Sequence, residues 1–159
     1  MNQKKLAGWL KCITVFVGIV GGIFFFVLAP LVGRDFVRQG PEFAGLYWPY
    51  LLWIWAAAIP CYAALWQFWK ICGHIGRDES FCPDNARSLS CISRLAMGDT
   101  AFCFVVTVVL FVLNSIHPGL VLLMLFVLAA GVALAVLAAA LSHLVEKACA
   151  LQQDSALTI

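Results

Sequence analysis

The sequence predicts an all-α membrane protein: a four-transmembrane-helix bundle with both termini cytoplasmic and the third helix extended into the cytoplasm. Three observations carry this expectation. Four apolar stretches, 12–32, 48–69, 96–116 and 120–142, each approach the length that a helix needs to cross the hydrocarbon of a bilayer. Hydrophobic residues make up 64% of the chain and charged residues 11%, with a mean hydropathy of +0.97. A soluble domain is about half apolar and a quarter charged, so the excess must face lipid. Backbone amides cannot bond water there, which makes the spans helices. Finally, the basic residues divide unevenly between the connections. The 159 residues read as a single integral membrane domain.

In the first span, Lys4 and Lys5 precede an apolar run, as in a secretion signal. The run is longer than a signal's apolar core, and Leu28-Ala29-Pro30-Leu31 offers no small-x-small cleavage site, so the span is expected to be an uncleaved anchor. Trp9 suits its interfacial end, and Gly18 and Gly22 have the spacing that lets helices approach closely. The second span carries Tyr47, Trp48, Tyr50 and Trp53 at one end and Trp66 and Trp69 at the other, two interfacial belts. Pro60 lies between them and removes a backbone hydrogen bond, which predicts a kink.

Of ten basic residues, Lys4, Lys5, Lys11, Lys70, Arg77, Arg87, Arg94 and Lys147 fall on one side of this arrangement. Arg34 and Arg38 fall on the other, offset by Asp35 and Glu42. The positive-inside rule then places both termini and the middle loop in the cytoplasm. The net charge of +2 reports topology and gives no reason to expect direct nucleic-acid binding.

The middle loop prepares the third helix. Pro83 suits the first helical position, and Asp84 would meet the positive end of the helix dipole. From there the helix should run through Arg87 and Arg94 into the membrane, with Leu89, Ile92, Ala96 and Cys103 on one stripe, and project about three turns. A short hairpin from Asn114 to Gly119 leads to the fourth span, where Ala129, Gly131, Ala135 and Ala139 form a narrow face. Beyond it Leu144, Ala148 and Leu151 continue an apolar stripe towards the C-terminus.

Asp99 stands out among the titratable groups. It falls on the inward stripe of the third helix, about one turn inside the membrane boundary, where an ionisable group is expensive and usually partnered. Lys11, Lys70 and His143 each lie at the cytoplasmic end of another helix, so the four are expected to converge in an ionic cluster at the inner mouth of the bundle. A structural ion pair that holds helix register is the plainer role, and a proton or ligand site the sharper one.

No catalytic, cofactor or metal site is expected. Phosphate-cradling loops, Gly-x-Ser-x-Gly and His-Glu-x-x-His are missing from the chain. The seven cysteines include no Cys-x-x-Cys pair, and Cys72, His74, Cys82 and Cys91 lack the paired spacing of zinc ligands. His143 and Glu146 are spaced as in carboxylate metal sites, but no second such pair accompanies them.

Several segments together resemble a known family. They are Ala58-Ile59-Pro60-Cys61-Tyr62-Ala63-Ala64-Leu65 with Trp66-Gln67, Ser80-Phe81 followed by Asn85-Ala86-Arg87-Ser88-Leu89, the Pro118-Gly119 hairpin, and the ending Asp154-Ser155-Ala156-Leu157-Thr158-Ile159. They are similar to the YoaS-like bacterial membrane proteins, domain of unknown function 2975, over nearly the whole chain. Neither the cysteines nor Asp99 matches that family's pattern. Its members are often encoded beside a very small helix-turn-helix protein of the Cro/C1 type. The resemblance therefore implies a non-enzymatic membrane partner or sensor for such a transcription regulator. Arg87, Arg94 and the terminal Leu157, Thr158 and Ile159 are the expected docking residues. The alternative is a small proton- or cation-coupled transporter or channel subunit built on Asp99, which would need homo-oligomerisation to form a pathway.

Overall fold

A computed structural model describes residues 3–39, 45, 47–77, 82–113 and 118–157. It is helical throughout: α1 (Gln3–Ile23), a π-helical segment (Phe24–Leu28), α2 (Ala29–Gln39), α3 (Tyr47–Ile75), α4 (Pro83–Val112) and α5 (Pro118–Leu157). Four helices are long and apolar enough to cross a membrane. The large side chains exposed along them, among them Ile59, Phe111, Leu122 and Phe126, are those that hydrocarbon would solvate. All seven cysteines are free thiols.

The first span is interrupted in a way that its hydropathy does not show. The Ala29 N–H bonds the Phe24 carbonyl, five residues back, in the wider π turn. Pro30 follows and has no N–H, so the next carbonyl in that pattern, Phe25, loses its donor. Trp55 of α3 supplies one: its indole Nε1 donates to the Phe25 oxygen at 3.3 Å. Nearby, Tyr62 donates its hydroxyl to the Gly18 carbonyl at 2.9 Å, and a Cβ at Gly22 would stand 3.0 Å from that hydroxyl. The glycines of α1 thus make room for a tyrosine that hydrogen-bonds the backbone.

Helices pack in chain order. The first rod lies on α3, α3 on α4, and α4 most extensively on α5. Among the described residues α1 makes no close backbone approach to α4 or α5, so the bundle stays open between its first and last helices. Lipid is as apolar as leucine and does not drive helices together as water does; association rests on small residues and interhelical hydrogen bonds. These lie along the seams. Ser93 donates to the Ala135 carbonyl at 2.8 Å and Ser142 to the Ala86 carbonyl at 2.7 Å. Gly131 meets Thr100, and Ala135 and Ala138 are buried.

The third long helix begins at Pro83, as its sequence predicts, with Asp84 in its first turn. Its opening turns do not stand alone, however. Ile71, Phe68 and Ile75 of α3 pack with Leu89 and Ile92 of α4 and Ala138 of α5. The helix that continues past its neighbours is α5. After the Ser142–Ala86 hydrogen bond it runs on to Leu157, while α4 begins at Pro83, only three residues before Ala86. Residues 114–117 of the expected hairpin lie outside the described residues.

Candidate functional site

Asp99 occupies the α3/α4 seam. Its Oδ2 accepts a hydrogen bond from the Cys61 thiol at 3.6 Å, and Cys103 lies one helical turn on along α4. Its Oδ1 is buried with no hydrogen-bond partner among the described residues. Asp99 also lines an open groove of about 280 Å³ together with Pro60, Arg94, Gly98 and Phe102. Gly98 brings no side chain, and a Cβ there would meet nothing within 4 Å. The groove is therefore a gap that small residues leave beside Pro60.

The register of the helices sets what faces this acid. Cys61 is the central residue of α3, and Thr100, next to Asp99, faces Gly131, the centre of the predicted fourth span. Asp99 thus stands opposite Cys61 of α3, with its neighbour Thr100 against Gly131 of α5. A charged carboxylate within a membrane span is unfavourable, by up to about 3 kcal/mol at the bilayer centre on insertion scales.

The same register separates the expected ionic cluster. Lys11 places its Nζ 5.4 Å from the centroid of the Trp69 ring, a cation–π contact across the α1/α3 seam. Lys70 is exposed on α3, about 13 Å along the helix from Cys61 at 1.5 Å per residue. His143 approaches Glu146 of its own helix at 3.9 Å, both side chains exposed, about 18 Å along α5 from Gly131. Among the described residues no cation lies within ion-pairing distance of Asp99. Lys11, Lys70 and His143 do mark helix ends, but Asp99 is a mid-helix residue, so the four do not share one level.

Of the expected docking residues, Arg87 is exposed near the start of α4, and Arg94 is exposed but borders the Asp99 groove. Leu157 closes α5; Thr158 and Ile159 lie outside the described residues. Cys72 is fully buried, and the Cys91 sulfur accepts from Gln67 Nε2 at 3.7 Å. Among the described residues no three His, Cys, Asp or Glu side chains gather as metal ligands. Sequence reasoning missed Cys61 as the neighbour of Asp99. The signal was Pro60, which precedes Cys61 in sequence and lines the same groove as Asp99.

Chemically, the site is one carboxyl oxygen engaged by a thiol and one buried without a partner. Such a group can take up a proton, a hydrogen-bond donor or a small cation. The model of a family described as protein of unknown function, DUF2975, matches residues 31–159. The chain belongs to that family. It is also 26% identical to the uncharacterized membrane protein YoaS of Bacillus subtilis (strain 168), over the full length of both chains. No solved structure matches. Membership brings no activity with it: the family's function is unknown, and YoaS is described only as a membrane protein.

Proposed function

We propose that this DUF2975 member is a non-enzymatic integral membrane protein of the bacterial inner membrane, with both termini cytoplasmic, that uses its cytoplasmic end to hold a small helix-turn-helix transcription regulator. One observation carries the reading. Past the point where α4 begins, α5 continues with Leu144 and Leu151 exposed at 62% and 70%. An exposed apolar stripe on this length of helix suits a protein partner, in the manner of a helix laid into a groove. The basic residues of the termini and middle loop favour the cytoplasm for this end. The genetic association that the family resemblance implies supports a regulator as the partner.

Copurification from detergent tests the proposal. Leu144→Ser with Leu151→Ser, or deletion of residues 154–159, should leave insertion and folding intact and weaken retention of the regulator. Retention at full strength in both variants refutes α5 as the docking element.

A second reading, a small oligomeric proton- or cation-coupled transporter or channel subunit, is favoured by the buried Asp99 Oδ1 that lacks a partner. Proton or cation flux in proteoliposomes that is lost in Asp99→Asn with stability unchanged would promote it; equal flux in both proteins would remove it.

A further inference from the structure

Arg34 and Arg38 run against the charge pattern of the chain, and both stand at the end of the first rod that faces away from the other basic residues. They are one turn apart on α2, so their side chains share a face. Gly33 brings the start of α3 against them: a Cβ there would lie 3.0 Å from Tyr47 Cε2. The result is an open groove of about 390 Å³ lined by Arg34, Val37, Arg38, Tyr47 and Trp48, with the two aromatic rings edge to face at 5.8 Å. Trp48 is 63% exposed.

The groove is cationic on one wall and apolar on the other. Arg38 reaches Asp35 through a single contact of 3.6 Å, with both side chains largely exposed, which leaves most of its donor fork unused. Arg34 forms no ion pair among the described residues. Below the groove, exposed Leu31 and Val32 continue an apolar surface along α2. A guanidinium pair matches the oxygens of a phosphate group, and the aromatic and valine wall suits the apolar part of an ester attached to it.

We propose that Arg34 and Arg38, with Tyr47 and Trp48, form a binding site for a phosphate-bearing anion. A phospholipid headgroup and free phosphate share this chemistry. The apolar wall adds affinity only for the former.

Native mass spectrometry of the full chain in a neutral detergent separates the two, with phosphatidylglycerol, phosphatidylcholine and inorganic phosphate as probes. Phosphatidylglycerol should be retained in preference to phosphatidylcholine. Arg34→Gln with Arg38→Gln should weaken that retention by roughly tenfold per arginine, Arg34→Lys with Arg38→Lys should keep part of it, and Arg87→Gln at the other end should leave it unchanged. Asp35→Asn frees the fork of Arg38 and should tighten binding, which keeps the test open if the double glutamine variant fails to fold. Arginine-dependent displacement of the lipid by millimolar inorganic phosphate supports the site with the free anion as its ligand; arginine-dependent retention without displacement supports the lipid. Wild-type retention in the double glutamine variant, or weaker binding in Asp35→Asn, overturns the site.

Discussion

Gly131→Ala probes the closest approach between α4 and α5. The added Cβ would overlap Thr100 Oγ1, with the Thr100 Cβ and Cγ2 at 3.4 and 3.5 Å behind it. Thr100 cannot yield freely, because its hydroxyl donates to the Ala96 carbonyl at 2.7 Å. Forcing a methyl into a packed seam typically costs about 1–3 kcal/mol. Alanine in a helix returns up to about 1 kcal/mol relative to glycine, so a net loss on the order of 1 kcal/mol is expected. Thr100→Ala removes the obstacle and forfeits only a bond to its own helix, roughly 0.5 kcal/mol by the measured average for such bonds in membranes. The double variant should therefore recover to near wild type, with a coupling of about 1–2 kcal/mol between the two sites. Reversible unfolding in mixed micelles of mild detergent and dodecyl sulfate, followed by circular dichroism, gives all four stabilities. Higher stability in Gly131→Ala alone, or effects that add within about 0.5 kcal/mol, would show that these helices do not meet as described.

Trp55→Phe should destabilise by about 1 kcal/mol, because it strips the Phe25 carbonyl of its donor, and the loss should shrink in a Pro30→Ala background where a backbone N–H returns; an equal loss in both backgrounds contradicts the account of the π segment. Tyr62→Phe should cost roughly 0.6 kcal/mol in the same unfolding assay through its bond to Gly18, and no measurable change would place that bond outside the folded state's energetics. Asp99→Asn combined with Lys70→Gln or His143→Gln should be additive within about 0.5 kcal/mol, and a larger coupling would restore the ionic cluster. A membrane-impermeant thiol reagent applied to intact cells should leave the native cysteines unlabelled and react with a Gln39→Cys variant, while strong labelling of the native chain would reverse the orientation.

The open form of the bundle and the surroundings of Asp99 have a common origin. Each span satisfies its own backbone, so each is stable in lipid before it meets a neighbour, and the neighbours are then chosen by short-range contacts. Ser93, Ser142, Tyr62 and Trp55 each find a carbonyl on the next helix, and these contacts set the register. Nothing in the hydropathy of a span encodes which carbonyl that will be.

Four helices of spanning length and the start of α4 at Pro83 were legible from the residues alone, because length, apolarity and proline geometry act within a single segment. Family membership was legible too, from motifs spread along the chain. The π turn before Pro30 depended on Trp55, the surroundings of Asp99 on Cys61 and Gly131, and the groove at Arg34 and Arg38 on Tyr47 packing over Gly33. Each of these joins residues from different helices, and the contacts that join them exist only once the helices have chosen their register; tertiary structure alone decided them.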